Sequence, residues 1–359
     1  MTSRSSPRSQ ALASPQSTAD SASEASPLLR FSAALGSVIW LGHRVLEDPD
    51  LITSTLALAV LVVVPLGLSL VTLNARQAKV FGWLCLLQPF AAFGAVLALS
   101  LQARGATGLF AVPWFVFTLG VGVVGALGLA AREPERELAH TLALLSLPAG
   151  GAWLFIGRAG FDPLGNGVLI VLLTAVHFYF AAFAALIVMG CNSVRLRGLI
   201  RKGEASPVLE HFARSAALTV PVGYVLVAVG ITGLPLAGVI GAGLLMLALF
   251  VHALLHLGFV VRHQRGGLVK LFGCISSASV LVSMPLACAW ALGQWTGTAI
   301  IDFTSMLRLH GMANAHGFVL AGLVGFWLDV RTREADSGEI RAIPPDPEAS
   351  RDLIGSESH

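Results

Sequence analysis

The chain has 359 residues, of which 55% are apolar and only 12% charged, about half the charged share of an ordinary soluble domain. Its 23 Lys and Arg against 20 Asp and Glu leave a formal net charge of +3. No single basic patch forms, which argues against nucleic acid as a partner. Cys85, Cys191, Cys274 and Cys288 are far apart and make no CxxC or CxxCH pattern, so neither a zinc ribbon nor covalently attached haem is suggested.

Residues 1–27 carry nine Ser and no apolar core of the kind a signal peptide needs. Such a stretch buries too little surface to offset its ordering entropy, so residues 1–30 are expected to be a disordered tail. Residues 31–50 form a lead-in. Its apolar part is short and ends in His43-Arg44, fitting either an interfacial amphipathic helix or a frayed start to the first span. Nine apolar segments follow: 51–71, 81–101, 109–131, 141–157, 168–190, 215–233, 238–261, 271–294 and 309–328. None contains Asp, Glu, Lys or Arg. Most have the roughly 20 residues that cross a ~30 Å hydrocarbon core. The fourth is short and holds Pro148-Ala-Gly-Gly151, and Gly233-Leu-Pro-Leu-Ala-Gly238 predicts a tight turn between the sixth and seventh. The expected fold is all-α, a polytopic transmembrane bundle of about nine helices over 51–328. The polar residues 329–359 are expected to be a disordered cytoplasmic tail.

Lys and Arg in the loops set orientation. The odd-numbered connections and the C-terminal tail hold 16 of them, from Arg76 and Lys79 onward, whereas the even connections hold only Arg104, Arg158 and Arg308. This bias puts the C-terminus in the cytoplasm. With nine crossings the N-terminus would lie outside, and a tail of about 50 residues would have to be translocated without a signal peptide. A helix gained or lost near either end removes that difficulty.

Polar side chains at membrane depth need a partner or a cavity. The nine segments contain no carboxylate, which lowers the case for a proton pump. Histidines remain. His177 lies nine residues into the fifth segment, about 14 Å deep. His252 and His256 are four apart on one face of the seventh, and His263 continues that stripe. The ninth opens Arg308-Leu-His310-Gly-Met-Ala-Asn314-Ala-His316-Gly-Phe318. At α-helical spacing His310 and Asn314 share a face, and His316 points about 120° away.

His177, His310, Asn314 and His316 are therefore the candidate catalytic residues, because buried ionisable groups in lipid are functional by default. Tyr179, Arg158, Asp162, Arg308 and Gln88 are the candidate substrate contacts, the charged ones as an outer rim. Interfacial anchoring explains those charges equally well. His252 and His256 have the spacing of two ligands to one metal ion, although cross-helix hydrogen bonding explains them as simply. No particular cofactor follows from these residues.

Leu-His310-Gly-x-x-Asn314-Ala-x-Gly317-Phe318, preceded by an isolated His177-Phe-x-aromatic-Ala helix, resembles the YndJ-like family of bacterial integral membrane proteins. The run Val-Val-Val-Pro65-Leu-Gly-Leu resembles the start of that family's domain. The resemblance covers roughly residues 45–330 and implies a bacterial inner membrane location, but no reaction. The family pattern favours a second His two residues after the first. Tyr179 stands there, which weakens a two-His metal site in that helix.

Three functions remain open: an intramembrane enzyme acting on a lipid-soluble compound such as an isoprenoid, a small-molecule transporter, and a membrane component that binds haem or metal through His. The partners expected are the lipid bilayer and a lipophilic small molecule. No P-loop is present.

Overall fold

The computed structural model describes residues 16–101, 105–131 and 137–342, and the side chains of those between 27 and 336. The loop cations Arg104, Arg132, Arg136 and Arg351, the first half of the expected N-terminal tail and the end of the C-terminal tail lie outside the described residues. Among the described residues there is no strand. The helices are α1 (Gln16–Leu46), α2 (Leu51–Leu68), α3 (Ala75–Ser100), α4 (Gly108–Ala130), α5 (Leu138–Arg158), α6 (Val168–Arg201), α7 (Val208–Ile231), α8 (Pro235–His263), α9 (Gly267–Thr296) and α10 (Phe303–Asp336, continuing as helix to Ala342). Nine of these, α2 through α10, are long and apolar enough to cross a membrane. The chain is an all-α, multi-pass membrane protein.

Caps and breakers explain the boundaries. Asp50 accepts from the amides of Ile52 and Thr53, both at 3.0 Å, and starts α2. Asn74 and Gln77 make a reciprocal capping box at the head of α3. Gly297, in the left-handed region, ends α9. Pro89, Pro113, Pro148, Pro221 and Pro285 sit inside helices without ending them, as membrane helices allow when neighbours satisfy the freed carbonyls. The expected spans recur with longer ends. α6 runs on to Arg201 and α10 past Asp329, because a helix need not stop where its apolar run stops.

Among the described residues five stretches are π-helical: Ala59–Val63, Phe178–Ala184, His256–Val260, Leu307–Gly311 and Ala313–Leu320. This geometry is rare and gathers at functional sites. One stretch begins directly after His177 and contains Tyr179. Another begins at His256. The last two contain His310, Asn314 and His316. The wider π turn also alters the 100° step on which the sequence placed His316 relative to His310.

The helices form two compact units. Unit 1 takes residues up to 136 together with 140–179, hence α1 to α4, nearly all of α5 and the start of α6. Unit 2 takes 137–139 and everything from Phe180 onward.

In unit 1, α1 differs from the expected lead-in. It is a 31-residue helix that begins at Gln16, inside the segment assigned to the tail. Ser32 Oγ donates to Gln88 Oε1 at 2.5 Å, and His43 Nε2 lies 3.3 Å from Ser100 Oγ. Eleven residues separate the two positions on α1 and twelve on α3, so these helices run parallel. Trp40 Nε1 donates to the carbonyl of Ser54 at 2.9 Å, making α1 and α2 an antiparallel hairpin. At Gly36 a Cβ would overlap the Leu61 carbonyl, so only glycine permits this close approach. Leu29 and Ala33 face inward, while Phe31, Leu35, Val38 and Val45 are exposed. Trp114 is fully buried, and its Nε1 donates to the Tyr179 hydroxyl at 2.7 Å.

Unit 2 packs α7 against α8, α8 against α9, and α9 against α10. Small residues carry these contacts. At Gly230 a Cβ would meet Gly238, and at Gly325 one would lie 3.2 Å from Phe272 Cβ. The Arg-rich ends of α6, α8 and α10 meet through ion pairs. Asp329 Oδ2 takes Arg195 Nε at 2.6 Å and Arg333 Nε at 3.2 Å. Arg197 pairs with Glu137 at 2.6 Å, and Arg265 with Asp336 at 2.7 Å.

Candidate functional site

The His310 turn of unit 2 is built by α9 and α10. His310 Nδ1 lies 3.0 Å from the carbonyl oxygen of Ser283, which can only accept, so Nδ1 carries the proton and donates it. The Asn314 amide gives its two hydrogens to Ser283 Oγ at 2.8 Å and to the His310 carbonyl at 2.9 Å. Its 3.1 Å approach to His310 Nδ1 sets two donors together and is not a third bond. The imidazole is thereby held in one tautomer, with the basic lone pair on Nε2. His310, Asn314 and His316 are half-buried, not sealed. Ser283 is fully buried and fixes the pair from behind. At Gly317 a Cβ would stand 2.7 Å from Ser279 Cβ, so glycine lets this turn close on α9.

His177 in unit 1 has the same electronic arrangement. Its Nδ1 donates to the Leu173 carbonyl at 2.8 Å, one turn back along α6, and its ring is exposed. His177 and His310 fall in different units.

The candidate substrate contacts divide. Tyr179 is fully buried, its hydroxyl accepts from Trp114, and its ring lies against Gly150. These contacts set it into the packing of unit 1. Gln88 is likewise fully buried, with Oε1 taken by Ser32, so it joins α1 to α3. The buried Arg158 donates to the Leu101 carbonyl. It thereby caps the end of α3. Asp162 accepts from the amides of Asn166 at 3.2 Å and Gly167 at 2.7 Å, which shapes the loop before α6. Arg308 is exposed two residues from His310, the one charged rim candidate beside a candidate catalytic residue.

His252 and His256 are buried in unit 2, with ring centroids 5.7 Å apart. Among the described residues no group of three or more His, Cys, Asp or Glu is arranged to hold a metal ion.

The sequence reading missed the carboxylates of unit 2. Asp329 is 1% exposed, yet it falls one residue beyond the ninth apolar segment. Glu137 is 6% exposed and accepts from the Ala139 amide as well as from Arg197. Burial pushes its carboxyl above the usual carboxylate range, and Arg197 offsets only part of that. An Asp directly after twenty apolar residues was the available signal for Asp329.

The arrangement spans the segment over which a known family matches. That family is described as YndJ-like protein, and the match covers residues 54–318. The chain belongs to the YndJ-like family. A relative in Bacillus subtilis (strain 168), described as "Uncharacterized membrane protein YndJ", is 31% identical over 253 residues. The alignment takes in 69% of this chain and 43% of that protein, so the chain spans less than half the relative's length. No solved structure matches. In this YndJ-like protein the matched segment takes in His177, the His252–His256 pair, and His310 through Phe318, but excludes α1 and Asp329.

Proposed function

We propose that the His310–Asn314 turn is an intramembrane proton-transfer site acting on a lipid-soluble substrate, an isoprenoid or a similar compound. The carrying observation is the locked tautomer. Nδ1 is committed to the Ser283 carbonyl at 3.0 Å, which makes Nε2 the basic nitrogen of a ring set in a half-buried π-helical turn at membrane depth. Asn314 orients the ring, and His316 on the following π turn is the further polar group available to a bound molecule. Exposed Arg308 suits the polar head of an amphiphile. His177, with the same tautomer in unit 1, is the second candidate acid or base.

The test compares lipid extracts, by mass spectrometry, from cells producing the wild-type chain, His310→Ala or His177→Ala. General acid–base catalysis is worth about 10²–10⁴-fold. A lipid should therefore accumulate, and its product fall, in the His310→Ala cells while the variant still inserts. Identical profiles in all three would sink the proposal. A second reading, metal or haem ligation, draws on the same tautomer, since ligating His usually donates its other N–H. A Soret band or stoichiometric metal lost on His310→Ala would favour it. Transport of a small molecule would leave the lipid profile unaltered and appear as uptake by vesicles.

The location proposed is a bacterial inner membrane with the C-terminus in the cytoplasm, on the strength of the loop charge bias. The N-terminus is proposed to lie there too. Residues 27–46 of α1 extend about 30 Å, a full hydrocarbon thickness. They run parallel to α3 and antiparallel to α2, with exposed apolar side chains on the outer face. A tenth crossing replaces the nine-crossing topology and removes the need to translocate the tail. A cysteine at position 2 labelled by a membrane-impermeant maleimide in intact cells would contradict it.

A further inference from the structure

Unit 2 contains a second set of polar atoms, carried by α6, by α8 and the turn after it, and by α9. Asn192 Nδ2 lies 3.3 Å from His252 Nδ1, and Ser277 Oγ lies 3.1 Å from His256 Nδ1. The other ring nitrogens are not so supplied. Among the described residues, His252 Nε2, His256 Nε2, Asn192 Oδ1 and Gln264 Oε1 are buried with no hydrogen-bond partner. All four residues are at least nine-tenths buried.

The residues that carry them are neighbours. The two imidazoles stack with centroids 5.7 Å apart, Phe318 closes over His252 at 5.8 Å, and Phe326 over His256 at 5.2 Å. A Cβ placed on Gly273 would stand 3.2 Å from both Gln264 Oε1 and His256 Cε1. Gly273 thus lets α9 approach both closely, with Val261 Cγ2 3.0 Å from the same position. Phe326 is three residues from Asp329, whose Oδ1 is also buried without a partner. Orphaned buried polar atoms are rare because each forfeits a bond it makes in water. Several together need an occupant with both donors and acceptors. A metal ion suits them poorly, since no third His, Cys, Asp or Glu joins the pair among the described residues. Water suits them well, since a buried water takes two to four polar partners.

We propose that unit 2 binds internal water between Asn192, His252, His256 and Gln264, where it meets the Nε2 atoms of both imidazoles and the two amide oxygens. The proposal is independent of the His310 site.

The experiment uses the full chain in detergent. Brief X-ray radiolysis makes hydroxyl radicals from water in place, and mass spectrometry reads side-chain oxidation. Phe318 and Phe326 should oxidise at least tenfold faster than Phe183, which is as deeply buried in the same unit. Gly273→Ala, whose methyl group would press on Gln264 Oε1 and His256 Cε1, should suppress labelling of Phe326. In D2O, protein labelled with 15N-histidine should exchange the His252 and His256 ring protons within minutes. Phe318 and Phe326 as inert as Phe183 in the wild type would overturn the water site, as would stoichiometric metal that disappears in His252→Leu. Ring protons retained for hours would overturn it as well.

Discussion

Replacing Arg195 by Ala removes the closest partner of a carboxylate that is 1% exposed. Asp329 Oδ2 now holds Arg195 at 2.6 Å and Arg333 at 3.2 Å, and its Oδ1 has no partner among the described residues. Breaking a buried pair by removing one partner costs about 3–5 kcal/mol, because the remaining charge stays desolvated. Arg333 is more exposed than Arg195 and bonds the same oxygen, so it recovers a minority of that loss. Roughly 3 kcal/mol is then the expected cost. Unit 2 has about 180 residues, and a domain of that size shifts by about 2–4 °C per kcal/mol. Arg195→Ala should lower the thermal midpoint in detergent by about 6–12 °C. Asp329→Asn added to Arg195→Ala should restore much of the loss, since an amide carries no charge to desolvate. Scans at one fixed rate, read by the appearance of buried cysteine thiols, report both variants. A shift under about 2 °C for Arg195→Ala, or a double variant less stable than the single, would refute the reasoning that Asp329 is a buried charge held by Arg195.

Tyr179→Phe should cost about 1–3 kcal/mol, because it leaves the buried Trp114 Nε1–H without its acceptor. Unaltered thermal stability would return Tyr179 to the set of ligand contacts. Glu137 has a folded-state pKa above its ordinary value. Its contribution is therefore fully favourable below the unfolded value and is lost as pH rises through the folded one. Glu137→Gln should gain on the wild type steadily as pH is raised from about 4.5, in paired melts across a pH series; a constant difference would contradict the burial argument. Gly36→Leu should expel α1 from α2, since a Cβ there meets the Leu61 carbonyl. It should open the 47–50 connection to protease, and an unaltered digestion pattern would count against the hairpin.

The amino-acid sequence alone determined the class of the molecule. Runs of about twenty residues without charge admit little besides helices in a bilayer, because every backbone amide must be satisfied within its own segment. The same reading selected His177, His310, Asn314 and His316, since polar groups stand out against so apolar a background, and the family motif around His310 was legible for the same reason. What lay beyond it depended on neighbours distant in the chain. The length of α1 turns on Ser32 meeting Gln88 and Gly36 meeting Leu61. The buried state of Asp329 turns on Arg195, more than 130 residues earlier. The tautomer of His310 turns on one carbonyl of α9, and the π turns that aim these rings leave no compositional mark. Periodicity reports which face of a helix is apolar, but only tertiary packing decides what that face meets. It is the partner, not the face, that set Tyr179 and Gln88 into the packing and fixed the tautomer of His310.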